Sequence, residues 1–314
     1  MTTTAPEPVL SVVLPAYNEA ENVGKVLAEI AAVCRELELT YELIVVDDHS
    51  DDGTLEAVKS CGVDGARCLR LSRRSGSHTA LRAGMQDARG QVVLCISADG
   101  QDDPNALREM IPAWRAGKQI VWAMRESRDE PFRQKVLALT FYKLLTTISQ
   151  IDERFDIARI DFFLLDRRVV DSLKQCVERH TSVFGLLVWM GFEQGSVDYV
   201  RRDRFAGHSK WNFRSRFRLA FDWIIAFSGV PLRAMIYGGI GVSTLGFLYA
   251  LVIIAKVLVF QGTVQGWASM IVVSLVMGGI QLIMLGLLGE YLWRTLDESR
   301  NRPIFFLEKR SDED

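Results

Sequence analysis

Between residues 10 and 124, short apolar runs alternate with longer stretches in which apolar residues recur every three or four positions. The runs are LSVVLP (10–15), YELIVVDD (41–48), ARCLRLS (66–72), QVVLCIS (91–97) and QIVWAM (119–124), rich in Val and Ile. Apolar runs of this length predict strands covered on both faces, as in a mainly parallel sheet. The stretch AENVGKVLAEIAAVCREL (20–37) sets Val23, Val26, Leu27, Ile30, Ala31 and Val33 on one face, which predicts an amphipathic helix. Strands alternating with helices predict an α/β domain whose ligands sit beyond the C-terminal strand edge. Each run ends in a polar loop: PAYNEAEN, DDHSDDGT, SRRSGS, SADGQDDP and RESR. These five loops are expected on one rim.

The pattern changes in the last third. Residues 234–255 and 267–289 contain no charged residue. At 1.5 Å per helical residue each run is about 33 Å long, the thickness of a bilayer's hydrocarbon core. Between them lie Lys256, four apolar residues and the short uncharged link QGTVQG. Arg233 precedes the first, and Arg294, Arg300 and Arg302 follow the second. The positive-inside rule then predicts a membrane hairpin with both termini in the cytoplasm. Two further segments are amphipathic. Residues 131–148 set Phe132, Val136, Leu137, Phe141, Leu144, Leu145 and Ile148 on one helical face; residues 211–229 mix Trp, Phe and Arg as a helix in the headgroup layer does.

Composition narrows the class. The chain has 314 residues and a formal net charge of −2, so no global basic field points to nucleic acid. Basic residues instead gather locally at Arg201, Arg202, Arg204, Lys210, Arg214, Arg216 and Arg218, opposed only by Asp203. The five cysteines form no CxxC pair and have no histidine cluster beside them, which argues for reduced thiols rather than a disulfide frame or zinc site. MTTTAPEPVL has neither a basic start nor an apolar run, so no signal peptide is expected there.

The rim loops carry the candidate chemistry. Tyr17 and Glu19 follow the first run; Asp47 and Asp48 end the second. A carboxylate at a strand end can accept hydrogen bonds from a ribose or base, and a tyrosine ring can stack on the base. Asp51 and Asp52 read as helix caps. Asp99, with Gln101 and Asp102, supplies oxygen ligands for Mg²⁺ or Mn²⁺, with a diphosphate completing the shell. A nucleotide pocket beside a divalent site suggests group transfer from a nucleotide diphosphate.

SVVLPAYNEAENV, ELIVVDDHSDDGT, SADGQDDP, DFFLLDRRVV, GHSKW and PLR before two spans resemble the polyprenyl-phosphate glycosyltransferases of glycosyltransferase family 2, the group of dolichol-phosphate mannose synthase and the bacterial undecaprenyl-phosphate sugar transferases. The resemblance covers residues 9–306. It implies a GT-A (Rossmann-like) fold and inverting transfer of one sugar from a nucleotide sugar, a UDP-sugar as in bacterial relatives, to a polyprenyl phosphate. It places Pro15, Tyr17, Glu19, Val45 and Asp47 at nucleotide-binding positions and Asp99 and Gln101 at metal-ligand positions. Arg125 and Arg133 match the arginines that hold the acceptor phosphate, and Asp161 matches the acid near the reaction centre. Three positions depart from the pattern: Ser97 stands for the usual Asp, Phe163 for Arg, and His208 for Glu.

The expected domains are a catalytic domain (9–205), an interfacial segment (206–230), two transmembrane helices (231–293) and a cytoplasmic tail (294–314). The expected partners are a nucleotide sugar, a polyprenyl phosphate and the cytoplasmic membrane, with no nucleic acid and with self-association left open. A processive polysaccharide synthase would show a QxxRW segment and more spans. A non-catalytic lipid-phosphate or partner-binding homologue is the other alternative, motivated by Ser97 and Phe163.

Overall fold

The computed structural model describes residues 8–126, 159–179, 181–203, 230–260 and 266–311. The chain divides into two units, one of residues 1–216 with 302–314 and the other of residues 217–301. The first is built on an eight-stranded mixed sheet in the order β7-β5-β6-β4-β1-β2-β3-β8. Its strands are β1 (Leu10–Ala16), β2 (Tyr41–Asp47), β3 (Ala66–Leu71), β4 (Val92–Cys95), β5 (Ile120–Arg125), β6 (Ile160–Asp166), β7 (Gln194–Tyr199) and β8 (Leu307–Arg310). All five expected strands are present, and β4, β1, β2 and β3 pair in parallel. The alternation with helices forces this, because each crossover returns the chain to the same strand direction.

Helices cover both faces. On one lie α1 (Ala20–Glu36), α2 (Thr54–Ser60) and α4 (Leu107–Arg115), sharing a core with Leu10, Val12, Leu14, Leu43 and Val45. The predicted apolar face of α1 is buried throughout. On the other face α3 (Ser77–Asp87) lies against β1 and β2, beside α5 (Arg167–Lys174) and α6 (Val183–Trp189). A Cβ on Gly84 of α3 would stand 2.3 Å from Cγ1 of Val13, so only glycine permits this approach of helix to sheet.

Three strands were not expected. β6 runs antiparallel between β4 and β5. β7 joins the far edge beside β5. β8 comes from the expected tail and pairs antiparallel with β3. Ser72 N donates to Phe306 O at 2.9 Å, and Cys68 N donates to the Ser311 hydroxyl at 2.7 Å. Arg310 pairs with Asp87 at 3.0 Å, which also pairs with Arg67 at 2.7 Å. The tail therefore covers an edge that would otherwise expose unpaired peptide groups.

The second unit contains α7 (Val230–Phe260) and α8 (Trp267–Ser299). Both extend beyond the charge-free runs, and both are long and apolar enough to cross a bilayer. A hairpin belonging to a water-soluble core would have its side chains covered. Here Leu245, Phe247, Leu282 and Ile283 are exposed. At the C-terminal end of α8 the Arg300 guanidinium lies 5.6 Å from the centre of the Trp293 ring, a pairing suited to a headgroup layer. The amphipathic segments 131–148 and 211–229 lie outside the described residues.

His78 of α3 packs edge-on against Phe184 at 5.9 Å and accepts a hydrogen bond from Val183 N at 3.4 Å. Burial, with Arg82 adding repulsion, pushes its pKa down to about 4. The unfolded chain binds a proton near pH 6.5 that the folded chain resists, so this site's contribution to stability is lost as pH falls from 6.5 toward 4. His78→Gln, which keeps an acceptor, should give a melting temperature that falls less steeply across that window than the wild type. Thermal melts at stepped pH read the difference; parallel curves would remove His78 as its source.

Candidate active site

The loops after β1 and β2 are sewn together by hydrogen bonds. Asn18 N donates to the Ser50 hydroxyl at 2.9 Å, Glu19 N to the Thr54 hydroxyl at 3.1 Å, and Ala20 N to Asp52 at 3.0 Å. Asn18 and His49 adopt positive φ, which lets both chains turn sharply off the sheet. Asp47 is fully buried. Its Oδ1 accepts from Ser50 N at 2.9 Å, and its Oδ2 pairs with Arg70 at 2.8 Å. Asp48 accepts from Ser75 N and Gly76 N at 2.6 and 2.8 Å, tying in the loop after β3; burial nonetheless raises its pKa. Tyr17 is partly exposed, with the Arg74 guanidinium 4.0 Å from its ring centre. Of the other positions that the resemblance assigns to the nucleotide, Pro15 and Glu19 are half-buried and Val45 is in the core.

The loop after β4 lies beside this rim because β4 pairs with β1. Gly100 has a φ of 76°, and around it the loop closes on its own carboxylates. Asp99 Oδ1 accepts from Gln101 N at 3.1 Å, and the Ser97 hydroxyl accepts from Asp99 N at 3.4 Å. Asp102 turns inward: its Oδ2 accepts from Ser97 N at 3.1 Å and its Oδ1 meets the Tyr199 hydroxyl at 3.1 Å. Sequence reading grouped Asp102 with the metal ligands; the fold uses it as a strut.

Because β6 runs antiparallel, its first residues reach the rim where β4 and β5 end. Ala123 pairs with Phe162 and Met124 with Ile160, so the register slips and Asp161 sits at a bulge. Bulges re-aim side chains next to functional sites. Around Asp161 lie Tyr199, its hydroxyl 2.7 Å away, Arg201 at 3.4 Å and Arg125 at 3.9 Å. Arg201 also donates to the Gln101 side chain at 3.0 Å, joining the β4 loop to Asp161.

Tyr199 stands between two carboxylates but has one proton to give. Burial, then the charge of Asp99, pushes the Asp102 pKa up to about 7. With its proton kept, Asp102 donates to the phenol oxygen and the phenol donates to Asp161, which satisfies both contacts. Burial and the two carboxylates drive the tyrosine pKa upward.

The fold thus brings Asp99, Gln101, Asp161 and Arg125 into one neighbourhood and adds Tyr199 and Arg201, which sequence reading did not single out as site residues. Tyr199 ends an alternating run, GSVDY, whose strand character is faint. Arg201 was visible only as part of a basic cluster. Arg133 and His208 lie outside the described residues. Phe163 packs edge-on against Trp122 at 5.6 Å and Phe184 at 5.1 Å, so its departure from Arg serves an aromatic core. Among the described residues no three His, Cys, Asp or Glu side chains converge to hold a metal. Asp99, the Gln101 amide oxygen and the Ser97 hydroxyl are hard oxygen donors of the right kind for Mg²⁺ or Mn²⁺, but too few and too weakly charged to saturate it without a ligand's phosphates.

Residues 11–173 match the family described as glycosyl transferase family 2. An uncharacterized glycosyltransferase, YkcC, of Bacillus subtilis (strain 168) is 37% identical over 95% of this chain and 93% of its own. The SfII prophage-derived bactoprenol glucosyl transferase of Shigella flexneri is 36% identical over 96% of this chain and 97% of its own. Among solved structures, the mannosyl-3-phosphoglycerate synthase of Rubrobacter xylanophilus superposes with a TM-score of 0.51 at 21% identity, over 70% of this chain and 73% of its own. The glucosyl-3-phosphoglycerate synthase of Mycobacterium tuberculosis, solved with Mn²⁺ and UDP, gives 0.51 at 18% identity, over 69% and 78%. These likenesses agree with the expected GT-A fold.

The proton assignment has a stability consequence. Asp102→Asn keeps a donor toward Tyr199 and should be nearly neutral near pH 6. Tyr199→Phe keeps the ring against Phe162 but removes the hydroxyl that both buried acids share, and should cost about 1–3 kcal/mol. Chemical denaturation of both variants gives the order; the reverse order would place the proton elsewhere.

Proposed function

The chain belongs to glycosyl transferase family 2 and is a glycosyltransferase, and from that premise we propose that it transfers one sugar, with inversion, from a nucleotide-diphosphate sugar to a polyprenyl phosphate such as undecaprenyl phosphate. One observation carries this reading: the match to a bactoprenol glucosyl transferase runs over 96% of the chain and so is not confined to the sheet domain. We further propose a UDP-sugar donor, and the relatives' name makes UDP-glucose the first to test.

A phosphate monoester has a second pKa near 6, so at neutral pH the acceptor is already mostly a dianion and requires no strong base. The protein's work is to position it and to balance charge. In this reading Pro15, Tyr17, Glu19 and Val45 line or back the nucleotide, and Asp47 with Arg70 braces that rim. Arg125, with Arg133, draws the acceptor phosphate toward the anomeric carbon through forked guanidinium contacts. Asp161, held by Tyr199, orients Arg125 and Arg201 beside the reacting atoms. Asp99 and Gln101, with Ser97, would hold Mg²⁺ or Mn²⁺ against the donor diphosphate. When bound, the metal neutralises the departing nucleotide. In this reading the reaction takes place at the cytoplasmic face with both termini on that side, which the basic flanks of the two apolar helices support.

Purified full-length protein, incubated with labelled UDP-glucose, a panel of other nucleotide sugars and undecaprenyl phosphate, should give a product with one sugar per lipid. No turnover with any donor would favour the non-catalytic alternative. Asp99→Ala should reduce transfer at least a hundredfold, and Mn²⁺ should bind measurably only with nucleotide diphosphate present. Full activity in chelator would sink the metal assignment. Arg125→Ala should raise the acceptor KM about tenfold and leave the donor KM near its wild-type value, and Arg125→Lys should restore little, because lysine lacks the fork. An unchanged acceptor KM would falsify the arginine's role.

A further inference from the structure

A cleft of about 450 Å³ lies where the loop after β3, the loop after α5 and the tail leading into β8 meet. It is lined by Ser72, Arg73, Arg179, Arg302, Pro303 and Phe306. Three of these carry a guanidinium and none is acidic. None belongs to the cluster around Asp161. The arginines come from three distant stretches of chain, so the fold, not a local basic run, assembles them.

The walls are fixed by backbone contacts. Arg179 donates to Pro303 O at 2.7 Å, and Ser72 N donates to Phe306 O at 2.9 Å. Ion pairs among the described residues draw Arg70, Arg67 and Arg310 to carboxylates but give none to Arg73 or Arg302. Arg73 and Arg302 line the same cleft, where like charges repel, and an anion bound between them relieves that repulsion. Phe306 is 56% exposed at the same cleft. An aromatic ring beside guanidinium groups suits a ligand that is anionic at one end and apolar at the other. Arg302 also follows Ser299, the last residue of α8, by three positions. At most about 10 Å of extended chain separates it from the end of that apolar helix.

We propose that this cleft binds the phosphate of an anionic phospholipid headgroup, with Arg73 and Arg302 on the phosphate oxygens and Phe306 toward the apolar part of the lipid. Lipid binding there holds the β8 tail, and through it the β3 edge, at the headgroup layer. The inference rests on the membrane-spanning reading of α7 and α8 and is separate from the acceptor site at Arg125.

Full-length protein in a neutral detergent, titrated calorimetrically with dihexanoyl phosphatidylglycerol, dihexanoyl phosphatidylcholine and inorganic phosphate, tests it. Phosphatidylglycerol should bind saturably and phosphatidylcholine should not. Arg73→Gln and Arg302→Gln should each weaken phosphatidylglycerol about fivefold, and together about 25-fold, with melting temperatures unchanged. Equal affinity in the wild type and the double variant overturns the site. Inorganic phosphate binding as tightly as phosphatidylglycerol, and lost in the same variants, overturns the headgroup assignment in favour of a free-phosphate site. Carbonate washing of the membranes checks the spanning reading separately. Release of the protein overturns that reading and the proposal with it, whereas retention with unchanged lipid affinity overturns the cleft alone.

Discussion

The hydroxyl of Tyr199 touches both Asp102 and Asp161, at 3.1 and 2.7 Å. Asp99 adds a third carboxylate to the same rim. Three like charges in a partly buried space repel strongly. The fold eases that repulsion by raising the Asp102 pKa to about 7, by setting the phenol between the two acids, and by placing Arg125 and Arg201 against Asp161. Each device depends on strand order. Tyr199 can reach both acids only because β7 lies beside β5, and β5 beside the antiparallel β6.

The same logic explains why an acid loop with a serine at its first position is still an ordered loop. Ser97 accepts from Asp99 N through its hydroxyl and donates to Asp102 through its backbone, so the turn closes without a second exposed carboxylate. In the proposed metal site a serine there gives less charge than an aspartate would, and the phosphates of the proposed donor would have to supply it. Phe163 has a different cause. Its ring completes a cluster with Trp122 and Phe184 on the α3 side of the sheet, where an unpaired guanidinium would be costly to bury.

Closure of the sheet links the two ends of the chain. Arg70 lies between Asp47, at 2.8 Å, and Glu308 of β8, at 3.0 Å. A residue at the proposed nucleotide rim is thus braced by a side chain from beyond the second apolar helix. The Asp47–Arg70 pair is buried on the acid's side, so breaking it would strand a charge.

Local pattern determined much of this protein. Five apolar runs, the face of α1 and two charge-free stretches are short-range signals; the runs became strands, the face was buried, and the stretches became two long apolar helices, while motif order along the chain carried the family. The rest required three dimensions. β6 hides in DFFLLD because a central antiparallel strand carries no mark of its direction. The bulge at Asp161 depends on pairing with β5, which local sequence does not encode. β8 reads as a charged tail, LEKR, and becomes a strand only because β3 offers an unpaired edge. Asp102 and Asp99 look alike in SADGQDDP. Asp102 turns toward Ser97 N and the Tyr199 hydroxyl while Asp99 closes the turn with Gln101 N, because partners that only the fold supplies, not residue type, decide how each carboxyl is used.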